Sequence, residues 1–157
     1  MSDLENTAKI IIKEVVYLTL ATADKNGKPW CTPVFTAYND NYEFFWASGI
    51  ETRHSLNIDE NPDIAATIYD SSVPEGEGQA VYMEGVAEQL NPDNNQEGLK
   101  LLRARCNKAE EYYPLDAYQN ETPVRIYKFT PKNFYVLNPD GDERYDVYAD
   151  CRLQIKL

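Results

Sequence analysis

Apolar residues open the chain at helical spacing, and the period then changes abruptly. Leu4, Ala8, Ile11, Ile12 and Val15 recur at intervals of three and four, which places them on one face of a helix. Ser2 with Glu5 three residues on has the form of a capping box, so the helix is expected to start at Ser2 and run to about Val16. From there apolar residues alternate. Tyr17 to Asp24, Pro29 to Tyr38 and Tyr42 to Ser48 read as strands, with turns at Lys25-Asn26-Gly27-Lys28 and Asn39-Asp40-Asn41. Such short connections predict an antiparallel meander whose three strands pair in order.

The stretch from Thr52 reads as a short helix stopped by Asn61-Pro62. Ile64 to Asp70 is a further strand, Ser71 to Gly78 a polar loop, and Gln79 to Leu90 a long strand in which Gly85 permits a bend or bulge. Asn91-Pro92-Asp93-Asn94 precedes a helix whose stripe is Leu99, Leu102, Cys106, Ala109 and Tyr113. Strands resume at Val124–Thr130 and Asn133–Asn138. The tail alternates, with Val147, Ala149, Cys151, Leu153 and Ile155 on one side. About eight strands and three helices, without repeat or linker, predict a mainly β protein. Its expected form is a closed or half-closed antiparallel barrel with added helices over its ends. The 157 residues make one domain, 1–157.

Charge narrows the partners. Against 26 acidic residues stand 15 basic ones, a net charge of −11, which opposes binding to nucleic acid or to an anionic membrane surface. No apolar stretch is long enough to span a bilayer, and no signal peptide is evident. Cys31, Cys106 and Cys151 lie far apart and the chain has one histidine; a zinc or non-haem iron site on imidazoles is not expected, and reduced thiols suit a cytoplasmic protein. Walker, dinucleotide-fingerprint and serine-elbow motifs are absent, and no side chain stands out as a general acid or base.

One helix is charged against its dipole. Arg53 and His54 open it, and Asp59 and Glu60 close it, whereas a helix start carries partial positive charge. A bound anion at that start is one physical reason: free N–H groups, the hydroxyls of Thr52 and Ser55, and a guanidinium would converge on a phosphate. The alternative is a surface helix whose Arg53 pairs with Glu51 or another acid. Just upstream, Trp46, Ala47 and Ser48 deliver the chain from an aromatic strand to this helix. A cofactor with a flat ring and a phosphate tail would fit that junction.

The order of these elements resembles the FMN-binding split-barrel superfamily of pyridoxamine 5′-phosphate oxidase. Leu18-Thr19-Leu20-Ala21-Thr22 with the Asn-Gly turn looks like its opening hairpin. Cys31-Thr32-Pro33-Val34-Phe35 resembles the strand whose backbone edge meets the flavin ring. Trp46-Ala47-Ser48 and Thr52-Arg53-His54 before the Asn-Pro stop are similar to the phosphate segment. Gln79 heads a strand like the one whose glutamine reaches the ring. The resemblance covers residues 17 to 90 and implies a split β-barrel that binds FMN through Thr32, Pro33, Val34, Phe35, Trp46, Ala47, Ser48, Thr52, Arg53, His54 and Gln79. It further implies a homodimer with flavin at the interface, acting as an oxidoreductase on a small-molecule substrate or electron partner. His54 stands where the family often has lysine. The basic residues that hold pyridoxal phosphate have no clear counterpart in the acidic C-terminal segment, so pyridoxamine phosphate oxidation is not assigned. The alternative is a flavin-holding or sensing module, or a split barrel without cofactor. For a relative using haem the chain offers one imidazole.

Overall fold

The computed structural model describes residues 3–118, 122–138 and 151–157. Helix α1 spans Asp3–Glu14 and buries Leu4, Ala8, Ile11 and Ile12, the face read from the spacing. It stops two residues short of Val16, and the Ser2 cap lies outside the described residues. Arg105, from far along the chain, donates to the carbonyls of Ile12, Lys13 and Val15 (3.0, 2.9 and 3.1 Å) and so satisfies the end of α1.

The strands are β1 (Tyr17–Ala23), β2 (Pro29–Phe35), β3 (Ala37–Tyr38), β4 (Phe44–Gly49), β5 (Asp63–Tyr69), β6 (Ala80–Gln89), β7 (Val124–Leu137) and β8 (Arg152–Ile155). They form one sheet in the order β2-β1-β5-β6-β7-β4-β3, with β8 on β7, and every pairing is antiparallel. The first hairpin is as expected. Asp24 Oδ1 accepts the N–H groups of Asn26 and Lys28, and Gly27 supplies the positive φ of 79° that the turn requires.

The meander is not as expected. The run from Pro29 to Tyr38 is two strands, not one. β2 pairs with β1, whereas β3 pairs with β4 for two residues, and β4 pairs along its length with β7. The break is Thr36, which is fully buried. Its N–H binds the carbonyl of Val16 at 3.0 Å and its hydroxyl binds the carbonyl of Phe45 at 2.8 Å. One residue thus ties the two ends of the sheet, and the sheet curls back on itself there. The turn chemistry at Asn39 was read correctly, but a short turn fixes only the residues beside it. Where a strand pairs further along is decided by the whole sheet.

Gly85 behaves as its place in a long strand suggested. The β6–β7 register shifts between Glu84 and Gly85, and a Cβ on Gly85 would lie 2.2 Å from the carbonyl oxygen of Thr130 and 2.7 Å from Cα of Pro131. Across this bulge β7 runs unbroken through Pro131, so the two strands expected at Val124–Thr130 and Asn133–Asn138 are one. At the C-terminus, Leu153 and Ile155 share a face as the alternation required, and Ile155 is buried. Val147 and Ala149 lie outside the described residues.

Two apolar clusters result. Inside the barrel sit Leu18, Leu20, Phe44, Trp46, Ile68, Val81, Tyr127 and Phe129. Outside it, Phe45, Leu90, Ile126, Tyr113 and Tyr118 pack under an excursion made of α3 (Gln96–Arg105), α4 (Ala109–Tyr112) and a 3₁₀ turn at Leu115–Tyr118. The stripe read as one helix is therefore broken after Cys106. β4 serves both clusters, as alternation dictates: Phe44 and Trp46 point inward and Phe45 outward. Helix α2 (Arg53–Glu60) crosses the barrel end. No helix among the described residues is long and apolar enough to cross a membrane.

Candidate functional site

The sheet is split beside β2. Because the Thr36 N–H bonds Val16 in register with the β1–β2 ladder, Thr32 and Val34 also turn their backbone groups toward β1. Cys31, Pro33 and Phe35 then turn theirs to the other side, and that side has no strand partner, since β2 ends the sheet order. Pro33 has no N–H to lose and is tolerated in mid-strand for that reason. The free edge thus offers the N–H and carbonyl of Cys31 and Phe35 and the carbonyl of Pro33.

A cleft of about 550 Å³ adjoins this edge, lined by Tyr17, Phe35, Ala47, Ser48, Gly49, Cys106, Tyr112, Tyr113, Tyr118 and Val124. Its size is ordinary for a small-molecule site. The lining carries no carboxylate, ammonium or guanidinium. Aromatic contacts run through it: Tyr17 meets Phe35 edge-on at 6.2 Å, Phe35 meets Tyr113 at 6.1 Å, and Tyr113 stacks on Tyr118 at 6.2 Å. Burial pushes the Tyr113 hydroxyl far above its ordinary range, aided by Tyr118, Cys106 and Tyr17. It stays protonated and can act as a donor.

From Gly49 the chain passes directly to α2. The Thr52 hydroxyl lies 2.9 Å from the Gly49 carbonyl, 2.9 Å from Ser55 Oγ and 3.1 Å from His54 Nε2, and makes no cap to the helix. The first-turn N–H groups of α2 have no partner in the preceding turn. Arg53 lies over the Trp30 ring at 4.6 Å. Among the described residues it joins no ion pair, so the pairing with Glu51 that the surface-helix alternative required is not found. Asp24 feels its charge from a distance, and its carboxyl is held below the ordinary value chiefly by the Lys28 and Asn26 N–H groups. At the other end of α2, Glu60 meets Lys25 of the hairpin turn at 3.6 Å, which accounts for half of the reversed charge pattern.

The expected site residues thus fall into three groups. Phe35, Ala47 and Ser48 line the cleft, and Pro33 exposes its carbonyl on the free edge. Thr52 and Arg53 stand at the start of α2. Thr32, Val34, Trp46 and His54 face elsewhere. Val34 belongs to the barrel core. Trp46 is fully buried on the inward face of β4 and stacks on Tyr127 at 5.6 Å. His54 is only 7% exposed, its Nε2 lies 2.7 Å from Ser48 Oγ, and burial lowers its pKa from the ordinary 6.5. It is a neutral buried imidazole, not a second surface cation. Gln79 sits half-buried just ahead of β6, outside the strand expected to contain it.

The sequence did not point to the tyrosines at 17, 112, 113 and 118. Their signal, an excess of tyrosine in the segment after Leu102, is visible only once the excursion folds back onto β4. Among the described residues no cluster of His, Cys, Asp and Glu could hold a metal, and the three cysteines are free.

The pyridoxamine 5′-phosphate oxidase family profile matches residues 4–138. Three solved structures are similar at low identity. The haem storage protein HutZ from Vibrio cholerae has a TM-score of 0.71 at 19% identity, over 86% of this chain and 95% of that one. A haem-binding protein from Mycobacterium smegmatis gives 0.69 at 16%, over 83% of this chain and 52% of its own. General stress protein 26 from Bacillus anthracis gives 0.63 at 14%, over 96% and 98%. No curated protein matches the sequence.

Proposed function

Since this chain belongs to the pyridoxamine 5′-phosphate oxidase family of split barrels, we propose that it is an FMN-binding oxidoreductase acting on a small uncharged molecule. The ring lies along the free edge of β2 in the tyrosine-lined cleft. The phosphate sits at the start of α2. The observation that carries the reading is Arg53: on a chain with 26 acids and 15 bases, this guanidinium stands at a helix start without an ion-pair partner among the described residues. Backbone groups of Cys31 and Phe35 suit the alternating donors and acceptors of a flavin edge, and Pro33 adds a carbonyl.

Bound FMN would supply hydride or electron transfer. The chain's residues do the rest. Arg53, the Thr52 hydroxyl and the first-turn N–H groups hold the phosphate. Phe35, Tyr113 and Tyr118 form a dry aromatic wall, and the protonated Tyr113 donates to an acceptor in the cleft. Haem is less well matched to these residues, because the Nε2 of the chain's one imidazole is already engaged by Ser48 and Thr52.

The partner is a second copy of the chain. The outer face of β2, β1 and β5 shows Cys31, Ala21 and Ala65 in one row, Pro33, Thr19 and Thr67 in the next, and Phe35 beside Tyr17 in a third. None of these is charged, and Ala21, Cys31, Pro33, Ala65 and Tyr17 are exposed. Those three rows carry no charge; the nearest is Asp63 at the start of β5, which pairs with Lys132. On so acidic a protein such a stretch suits burial against its own copy.

The experiment is titration of apo-protein with FMN and riboflavin, followed by the spectrum of the complex and its bleaching by NADH or NADPH. A yellow complex that binds FMN much more tightly than riboflavin supports the phosphate site. Bleaching with reoxidation by an added acceptor supports turnover, and a complex that no donor reduces supports the passive flavin holder. Equal affinity for both flavins overturns the assignment of Arg53. Light scattering that finds a monomer at micromolar concentration overturns the dimer.

A further inference from the structure

Arg53 is held in a way unusual for a guanidinium on so acidic a chain. Among the described residues its side chain makes no ion pair and no hydrogen bond. Asp24 senses its charge, but that carboxylate already accepts the N–H groups of Asn26 and Lys28. What the guanidinium meets is the ring of Trp30, with Cζ 4.6 Å from the ring centroid. Trp30 stands opposite Thr22 in the β1–β2 register, as Thr32 stands opposite Leu20 and Val34 opposite Leu18. Leu18, Leu20 and Val34 belong to the barrel core, so alternation puts Trp30 at the end of the inward row of β2. There α2 crosses the barrel, and the indole is 41% exposed. Asn57 of α2 bonds the Thr22 hydroxyl at 2.9 Å, which ties helix to sheet beside the ring.

We propose that Trp30 is a positioning residue of the phosphate site: its ring holds the Arg53 guanidinium in place and leaves the N–H donors free for the phosphate. An acidic partner would fix the side chain too, but it would occupy those donors and cancel the charge. An aromatic face attracts the cation through its quadrupole and takes up neither. A long side chain that is ordered before its ligand arrives also spares the cost of ordering it on binding. On a chain with 26 acids and 15 bases, an uncharged partner keeps a guanidinium both fixed and available. This role rests on the FMN reading and deepens it, because β2 also carries the free edge assigned to the flavin ring. One strand then sets the phosphate donor at a fixed distance from the edge that meets the ring.

A ring that matters for its face can be told from one that matters for its bulk. Leucine keeps apolar volume at position 30 and loses the quadrupole, whereas phenylalanine keeps a face for the cation. A residue that acts through Arg53 must also fall silent when Arg53 is removed.

The test is calorimetric titration of full-length apo-protein with FMN and with riboflavin. In Trp30→Leu the preference for FMN over riboflavin should fall by about three- to tenfold, with riboflavin affinity unchanged. Trp30→Phe should restore most of that preference. In an Arg53→Ala background Trp30→Leu should change it no further. A preference in Trp30→Leu equal to that of the wild type, no restoration by Trp30→Phe, or a further loss in the Arg53→Ala background would each overturn the role of Trp30 and leave the FMN reading standing. A wild-type protein that prefers neither flavin overturns both. The wild-type protein also gives a measurement that needs no variant to fold. The Arg53 side-chain proton resonances should be shifted upfield by the ring current of Trp30, in the apo-protein and in the FMN complex alike. Resonances at ordinary positions in the complex would overturn the proposal.

Discussion

Helices α2 and α3 lie on the same barrel, yet their buried faces are opposites. α3 buries Gly98, Leu99 and Leu102. α2 buries His54, Ser55, Asn57 and Ile58, three of them polar. The buried face of α3 is held by close packing, since a Cβ on Gly98 would lie 2.6 Å from the Phe45 ring and 3.0 Å from Ile126, and its hydrogen bonds to the rest of the fold come from Glu97, Arg103 and Arg105. α2 is held by hydrogen bonds, His54 to Ser48, Asn57 to Thr22 at 2.9 Å, and Ser55 to Thr52. Apolar contact tolerates sliding, whereas a satisfied polar network admits one geometry. A cover can be the first kind. The phosphate site proposed at α2 would require the second, because its groups work only when aimed.

The contrast predicts where substitutions will be felt. Leu102→Ala, at a fully buried position, should cost about 2–5 kcal/mol in chemical denaturation and leave the ratio of FMN to riboflavin affinity unchanged. A changed ratio would break the separation between cover and site. Gly98→Ala gains helix propensity but must push the Phe45 ring aside; a net loss of about 1–3 kcal/mol is expected, again without effect on that ratio.

On the α2 side the pattern should invert. Arg53→Ala should weaken FMN binding by about 1.5–3 kcal/mol, roughly ten- to a hundredfold, leave riboflavin binding alone, and change apo-protein stability little. Calorimetric titration with both flavins checks it. Equal losses for the two would mean that Arg53 does not meet the phosphate.

The smallest effect is in pH. Burial depresses the His54 pKa below 6.5, so on acidification the unfolded chain takes up this proton first. Its contribution to stability is complete above about pH 6.5 and is lost as pH falls from there through the folded pKa. Thermal unfolding from pH 7.5 to 5.5 should therefore slope more steeply in the wild type than in His54→Gln. A second, acid limb should survive in both, since Asn39 and Lys128 hold the Glu43 carboxyl below its ordinary value against some burial.

Several elements of the fold are legible in the amino-acid sequence. The short helix with reversed charges is legible at Thr52 to Asn61; the anion at its start belongs to the proposed function, though Arg53 joins no ion pair among the described residues. The Gly85 bulge, the first hairpin, the first helix and the face shared by Leu153 and Ile155 followed from period and turn chemistry. His54 groups with Arg53 at the helix start, yet it is buried: a charge pattern along a helix says nothing of which residues face inward. Trp46 reads with Ala47 and Ser48 as part of the segment leading to α2; its burial on the side of Phe44 follows from alternation along β4.

Local physics settled the elements. Alternation, turn residues and capping act within a few positions of one another, so they are written in the chain. The bend at Thr36, the pairing of β4 with β7 instead of β2, and the tyrosine wall that the α3 excursion lays over Ala47 and Ser48 join residues far apart in sequence. No short-range pattern encodes them, since each is chosen by the packing of the whole sheet, and the cleft exists because β2 and β4 part after Thr36.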